Sequence, residues 1–245
     1  MTAAAAVVPC LPAPGQDAPL RALDPAVLER LSAEDHGVRE AATRTLLRDE
    51  RMASEALEAA LATARSYEVA HRLRAVWRHR VIESMWQGLP DGDAGAMGLR
   101  HLPAPAHCVP GQQTPGVRVA MTLPGFPAHA YLEAGDVIVA IHGVAFGEGA
   151  RAAEAAAQAF TQAIEAHGAR RPLAVTVLRG GRRLELTMPT APHVALNALL
   201  AGGPPLTLRG AQREALSRAE NHAASLGPQP TRLRVPLEPE ALVSN

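Results

Sequence analysis

The strongest constraint on the fold is a short apolar run that is bounded on both sides by turn residues. Residues 137–141 read Val-Ile-Val-Ala-Ile, with a Gly-Asp pair before them and a His-Gly pair after them. A short run that is rich in β-branched residues and bounded by glycine is typical of a buried strand. Residues 124–127, Pro-Gly-Phe-Pro, predict a turn and loop upstream of it. We therefore expect the rest of the chain to be organised around this strand.

Composition limits the classes of function that the chain can have. Its 245 residues suffice for one large or two small domains. The formal net charge is zero, which argues against general nucleic-acid binding, since that requires a basic excess. All basic side chains are arginine, so mechanisms that need a Schiff-base, P-loop or kinase lysine are excluded. No segment reaches the ~20 apolar residues of a membrane span.

Four amphipathic helices are predicted between residues 24 and 87. Asp24 followed by Pro25 is a typical helix start, with a capping side chain and then proline at the first helical position. Further helices are expected from residue 37 or 38, from about 53 to 63, and from about 67 to 86. The residues predicted to face inward are Val27, Leu28, Leu31, Val38, Ala41, Ala42, Thr45, Leu46, Ala56, Leu57, Ala60, Leu61, Val69, Leu73, Val76, Trp77 and Ile82.

The fourth predicted helix carries many basic residues, namely His71, Arg72, Arg74, Arg78, His79 and Arg80. One interpretation is a docking face for an acidic partner. The other is a solvated helix face whose charges pair with local acids such as Glu68 and Glu83.

Two resemblances to known families follow from ordered sets of residues. Residues 124–128 (Pro-Gly-x-Pro-Ala), Leu132, residues 135–138 (Gly-Asp-Val-Ile) and residues 141–143 (Ile-His-Gly) occur in the order typical of bacterial PDZ domains, so residues 95–189 resemble such a domain. Residues 30–42 resemble a HEAT-like helical pair, through an acidic turn followed by Val-Arg-Glu-Ala-Ala. Because repeat arrays usually need about three units, this helical piece is either a minimal bundle or leans on the PDZ-like domain.

The resulting expectation is an α+β chain. A small N-terminal all-α bundle precedes a PDZ-like, five- to six-stranded, partly open β-barrel with a groove helix, and a helical and extended tail follows. The predicted divisions are a flexible segment (1–21), a helical HEAT-like unit (22–88), a linker (89–94), the PDZ-like domain (95–190) and a C-terminal helix with an extended tail (191–245).

The PDZ resemblance implies a groove that binds extended peptides by strand addition. Residues 95–99, Gly-Ala-Met-Gly-Leu, resemble the glycine–apolar loop of PDZ domains in bacterial secreted proteases. The amides of this loop would face a terminal carboxylate, and residues 99–102 would form the ligand-pairing strand, which should end before Pro103. A helix over residues 148–167 would supply the other wall, with Phe160 and Ala163 toward the core. The candidate peptide-binding residues are Ala96, Met97, Gly98, Leu99, Arg100, His101, Leu102, Ala157, Thr161 and Ile164.

No catalytic motif is present. The chain lacks Gly-x-Ser-x-Gly, His-Glu-x-x-His, Asp-Thr-Gly and Asp-Ser-Gly, so we expect no enzyme activity and no cofactor. Cys10 and Cys108 have no metal-ligand spacing and are either one disulfide or two unrelated thiols. His101 and His107 lie near the candidate groove and could bind a metal or a ligand carboxylate, or could be scattered surface histidines.

Three functions remain open at this point. The first is a non-enzymatic module that captures protein C-termini or extended segments. The second is a regulatory or substrate-presenting subunit of a proteolytic system, and the third is a scaffold that acts through the helical unit. Residues 1–14 lack a basic start and make a poor secretory signal, so the compartment is left open between the bacterial cytoplasm and an extracytoplasmic location.

Overall fold

A computed structural model of the chain describes residues 23–87, 89–92, 94–146 and 152–200, together with Ser217, Asn221 and Ser225. The predicted flexible segment 1–21, the start of the helix predicted over 148–167, and the tail beyond residue 225 lie outside these ranges. So does Cys10, and with it the disulfide alternative. Ser217, Asn221 and Ser225 are helical and lie within the segment 191–245, for which a C-terminal helix and an extended tail were predicted. None of the helices in the described ranges combines the length and the apolar character that crossing a membrane requires.

Four helices open the described chain. They are α1 (Pro25–Leu31), α2 (His36–Arg48), α3 (Ser54–Thr63) and α4 (Tyr67–Gln87). The carboxylate of Asp24 accepts a hydrogen bond from the amide of Ala26, and that of Asp35 accepts one from the amide of Val38. These two aspartates cap otherwise unpaired N–H groups, which explains where α1 and α2 begin. The helix start predicted at Asp24-Pro25 is confirmed.

The predicted inner face of α2 is wrong in part. Val38 is 40% exposed, and the buried residues of the helix are Ala42, Leu46 and Leu47. Polar Thr43 also lies on the inward side, where its hydroxyl accepts a hydrogen bond from Arg72. Because a polar residue takes an inward position here, a face predicted from the apolar residues alone is centred on the wrong side of the helix.

The expected pairing of the basic α4 residues with Glu68 and Glu83 is confirmed for Arg72 and Arg80, but the face is not solvated at three of its members. Arg72, His79 and Arg80 are 9%, 2% and 7% exposed, so they are interior groups. Arg72 forms ion pairs with Glu40 at 2.7 Å and Glu68 at 2.6 Å, and these hydrogen bonds make its burial tolerable. Arg80 donates to the Leu46 carbonyl at 3.1 Å. The charges therefore hold α2 against α4.

The second half of the chain is an antiparallel sheet with interleaved helices. Its strands are β1 (Gly95–Ala96), β2 (Leu99–Ala104), β3 (Gly116–Thr122), β4 (Val137–Ile141), β5 (Val144–Ala145), β6 (Pro172–Arg179), β7 (Arg182–Pro189) and β8 (Ala191–Pro192). The helices are α5 (Pro127–Tyr131), α6 (Ala152–His167) and α7 (His193–Leu200). The main sheet has the order β2-β3-β4-β6-β7, with β5 paired to β4, while β1 and β8 form a separate pair. This mixed α+β arrangement is consistent with a PDZ-like domain; its closure into a partly open barrel stays a prediction.

Strand β4 is the centre of this sheet. All five of its residues are buried, and it pairs with β3, β5 and β6. The prediction of a fully buried strand over residues 137–141 is confirmed. The turn at residues 124–126 leads into the short helix α5. The sequence had predicted only a turn and loop over residues 124–127, where this helix begins.

The predicted end of the edge strand before Pro103 is wrong. Strand β2 continues to Ala104, and Pro103 pairs with Val117 of β3. Proline cannot donate to a ladder, but β2 lies at the end of the strand order, where one side of the strand needs no donor.

The helical unit packs directly against the β-sheet unit. Ala130 of α5 belongs to the same buried cluster as the helical core. The Arg48 side chain donates to the Ala130 carbonyl at 2.9 Å, and the Trp86 indole donates to the Gly125 carbonyl at 2.6 Å. The helices therefore pack against the β-sheet unit, as expected under the second of the two alternatives.

Candidate functional site

A small groove lies between β2 and α6 and ends in a cavity of about 100 Å³. The cavity is lined by Gly95, Ala96, Met97, Gly98, Leu99, His101, Phe160, Thr161, Ile164, Glu165, His193 and Leu196. Pockets for small-molecule ligands typically measure ~300–1,000 Å³. The cavity is thus sized for a single side chain, with an open groove leading away from it.

Seven of the ten predicted site residues line this cavity: Ala96, Met97, Gly98, Leu99, His101, Thr161 and Ile164. Arg100 and Leu102 are exposed on the other face of β2, because successive strand side chains alternate. Ala157 lies one turn before Thr161 on α6, where its carbonyl accepts a hydrogen bond from the Thr161 hydroxyl at 3.2 Å. His107 does not line the cavity; it lies in the 105–115 loop, where its amide donates to the Gln112 carbonyl at 3.1 Å.

Two amides in the loop between β1 and β2, at residues that line the cavity, have no hydrogen-bond partner in the described part of the chain. The carbonyls of Met97 and Gly98 accept hydrogen bonds from the amides of Ala128 and Leu123, at 3.0 and 2.8 Å. The amides of Met97 and Gly98 donate to no acceptor within the described part of the chain. Consecutive backbone N–H groups that point into a concavity form a site for an anion such as a carboxylate.

Gly98 is required by this loop for two reasons. Its φ angle is +69°, a conformation that L residues adopt only at a cost. A Cβ atom at this position would also lie 2.1 Å from the Cβ of Phe126. The glycine predicted from the loop motif therefore shapes the loop against α5 as well as leaving space at the groove.

His101 lines the cavity on the side of β2. Its ring lies edge-on to Phe160, with ring centroids 5.1 Å apart. Burial lowers the pKa of His101, so the imidazole is neutral at pH 7. A peptide that pairs with β2 would pack over this neutral ring.

The end wall of the cavity comes from α7, which the sequence had not connected with the groove. Strand β8 pairs with β1, Ala191 opposite Ala96, and this pairing places His193 and Leu196 at the cavity. The amide of His193 donates to the Ala94 carbonyl at 3.0 Å, and its Nε2 atom lies 3.9 Å from a carboxylate oxygen of Glu165. Two-residue strands carry too few residues for a periodic pattern, so no sequence signal marks this pairing.

Few of the side chains that line the cavity are titratable. The titratable side chains among its lining residues are His101, Glu165 and His193, and neither serine nor cysteine occurs among them. Within the described ranges, no group of three or more histidine, cysteine, aspartate or glutamate side chains is arranged to hold a metal ion. The arrangement is suited to binding an extended chain through backbone groups and one apolar pocket.

Comparison with known proteins finds partial similarity to serine proteases of the HtrA family. No protein-family model matches the chain. The putative serine protease HhoA of Synechocystis sp. (strain ATCC 27184 / PCC 6803 / Kazusa) is 40% identical over 77 residues, which are 31% of this chain and 18% of that protein. The HtrA-type protease AlgW, solved with a decapeptide, is 22% identical and has a TM-score of 0.32, over 40% of this chain and 29% of that one.

The chain spans less than a fifth of the length of the curated relative that it matches. The similarity is consistent with a PDZ-like module that is shared with such proteases. The HEAT-like resemblance of the N-terminal helices has no counterpart among these comparisons and stays a prediction.

Proposed function

We propose that this chain is a non-enzymatic binding module whose groove captures C-termini or extended segments of other proteins. The observation that carries the proposal is the pair of unpartnered amides at Met97 and Gly98, beside a cavity sized for one side chain. These amides lead directly into β2, whose outer edge pairs with no other strand in the described ranges.

Each part of the groove has a separate task in this proposal. The outer edge of β2 pairs with the backbone of the ligand, which provides affinity that does not depend on ligand sequence. The free amides of the loop receive the terminal carboxylate. The last ligand side chain enters the cavity against Met97, Phe160 and Ile164, so apolar residues of modest size are preferred there.

The test is a binding screen against peptides with free and with amidated C-termini, followed by fluorescence anisotropy. A substitution at Gly98 is unsuitable for disabling the groove, because any side chain at this position collides with Phe126 and would disturb the fold. Thr161→Arg places a large side chain at the cavity from an exposed position of α6, where it does not disturb the core. Gln162→Arg is the matched control, since it is exposed on the same helix and does not line the cavity.

We expect selective binding of free carboxylates, weakened at least tenfold by Thr161→Arg and unchanged by Gln162→Arg. A folded protein that binds free and amidated peptides equally, or that loses affinity to the same extent in both variants, would refute the proposal.

A second candidate is a regulatory or substrate-presenting subunit of a proteolytic system. The 40% identity to a stretch of a putative serine protease favours it. Here the same groove would deliver a bound chain to a separate protease. Cleavage of a substrate that carries a groove-binding C-terminal peptide should then be faster in the presence of this chain, and Thr161→Arg should remove the acceleration. If the added chain does not change the rate at which the protease cleaves this substrate, the role is excluded.

A further inference from the structure

Two histidines from different parts of the sequence meet at the surface. His142 lies in the turn that joins β4 to β5, and His167 is the last residue of α6. The Nε2 atom of His142 and the Nδ1 atom of His167 are 3.2 Å apart, and the ring centroids are 4.9 Å apart. Neither residue lines the groove cavity, so the pair is separate from the proposed peptide site.

The tautomer of His167 follows from its other contact. Its Nε2 atom lies 3.1 Å from the carbonyl oxygen of Pro172, and a carbonyl only accepts hydrogen bonds. Nε2 therefore carries the proton, and Nδ1 keeps its lone pair toward His142. An imidazole that donates one N–H to a backbone carbonyl and presents the other nitrogen is the usual state of a metal-binding histidine.

His142 is held in place by its turn. It has a φ of 50° and is followed by Gly143 at 76°, so two consecutive residues adopt the left-handed conformation of a type I′ hairpin turn. Asparagine, aspartate and glycine are the residues favoured in that turn, whereas a histidine there has a higher backbone conformational energy. The amide of His142 also donates to the Ala174 carbonyl at 2.8 Å, which fixes the turn against β6.

The separation of the two nitrogens fits a tetrahedral metal ion. With Zn–N bonds of about 2.0–2.1 Å and a tetrahedral angle, two ligand nitrogens lie about 3.3 Å apart. The distance between His142 and His167 is 3.2 Å. The position at the C-terminal end of α6 also favours a cation, because the helix carries partial negative charge there.

We propose that His142 and His167 together bind one Zn²⁺ ion through Nε2 and Nδ1, respectively. The proton that His142 donates across the pair in the metal-free state moves to its Nδ1 atom, which frees the Nε2 lone pair for the ion. No third histidine, cysteine, aspartate or glutamate from the described ranges joins the pair. The remaining coordination positions of the zinc ion are open to water or to a donor from another molecule. The ion is therefore bound more weakly than at a closed structural site with four protein ligands.

The test is titration of the full chain with Zn²⁺ by isothermal calorimetry at pH 7.4, in a Cys10→Ser, Cys108→Ser background that removes competing thiolates. His142→Asn suits the left-handed turn, and His167→Gln retains a donor for Pro172, so both variants should fold. His36→Gln removes an exposed histidine elsewhere and is the matched control.

We expect one ion per chain, with affinity at least tenfold weaker in each of the two pair variants and unchanged in the control. Ring-proton NMR signals of His142 and His167 should shift together on addition of zinc. The proposal is overturned if both variants, shown to be folded by circular dichroism, keep the affinity of the parent. It is equally overturned if the parent binds no zinc, or if the control loses as much affinity as the pair variants.

Discussion

The guanidinium of Arg170 lies over the indole ring of Trp86, with its Cζ atom 5.6 Å from the ring centroid. The same guanidinium donates to the carbonyls of Gln87 and Leu89, at 2.7 and 3.0 Å, and forms an ion pair with Asp91. The last carbonyls of a helix lack partners within the helix. A side chain from the β-sheet unit therefore closes the end of α4.

Arg170→Ala should lower the free energy of unfolding by about 2 kcal/mol, since charged hydrogen bonds contribute about 1.5–3 kcal/mol and a cation–π contact about 0.5–1 kcal/mol. Urea denaturation measures the change. Arg171→Ala, at the exposed neighbouring position, should change the stability by less than about 0.5 kcal/mol. Equal effects of the two substitutions would show that the Arg170 cap does not stabilise the junction.

Gly125→Ala should destabilise the chain much more than Gly135→Ala. Both glycines have positive φ angles, +84° and +95°, so both substitutions carry a backbone cost of about 1–2 kcal/mol. At Gly125 a Cβ would additionally lie 2.2 Å from Cγ2 and 2.4 Å from Cβ of Ile82, whereas nothing lies within 4 Å at Gly135. The difference in unfolding free energy should exceed about 2 kcal/mol, in the range of overpacking penalties. Thermal denaturation of the two variants side by side measures it, and similar melting temperatures would contradict the close packing of α4 on the turn before α5.

Arg179→Met should cost about 2–4 kcal/mol of stability. Arg179 binds both carboxylate oxygens of the 2%-exposed Asp136, at 2.8 and 2.7 Å, and also the Tyr131 carbonyl. Removing one partner of a buried pair leaves an uncompensated charge, which costs about 3–5 kcal/mol when both groups are fully buried. The control is Arg183→Met, which breaks an exposed pair with Glu185 worth about 0–1 kcal/mol. Chemical denaturation of both variants gives the comparison, and a cost below about 1 kcal/mol at Arg179 would be inconsistent with a buried ion pair.

Stability should fall as the pH is lowered from about 6.5 toward 3, partly because of His79. Burial lowers the pKa of His79 to about 3, and its Nδ1 atom accepts a hydrogen bond from the Gly125 amide at 2.9 Å. Below the ordinary histidine pKa of about 6.5 the unfolded chain binds a proton that the folded chain excludes. The unfolding free energy therefore rises with pH through this window, by up to about 1.4 kcal/mol per pH unit from this residue.

His79→Asn keeps an acceptor near the Gly125 amide and removes the titration, so it should reduce the slope of stability against pH between 4 and 6. Burial also lowers the pKa values of His101, His129 and His167, and these residues maintain part of the slope. His71→Asn, at an exposed position of α4, should leave the slope unchanged. A His79→Asn variant with the parental slope would contradict the assignment to His79.

The elements with local signals could be predicted from the sequence. The buried strand over residues 137–141 combines an uninterrupted β-branched run with glycine boundaries, and Asp24-Pro25 combines a cap with a pre-set φ angle. The role of the loop at residues 95–99 in the groove could be predicted because its glycine–apolar motif comes directly before a predicted strand. Seven of the ten candidate residues line the cavity, whereas Arg100 and Leu102 could contribute only backbone groups there.

The remaining features depend on contacts between distant segments. Nothing local shows that Arg72 and His79 are interior, because their partners Glu40 and Gly125 lie 32 and 46 residues away. Pro103 could extend β2 only because no further strand pairs beyond it. The contribution of α7 to the groove follows from a two-residue ladder, which has no periodicity to detect.

The ladder between β1 and β8 also has a thermodynamic consequence. It ties the segment that enters the β-sheet unit to the segment that leaves it, with Gly95 opposite Pro192 and Ala96 opposite Ala191. The entering segment continues directly into the loop with the free amides, and the leaving segment continues into the end wall of the cavity. The same two segments thus form both this ladder and part of the cavity lining. A ligand that stabilises the groove should therefore also stabilise the ladder that joins the entry and the exit of the β-sheet unit.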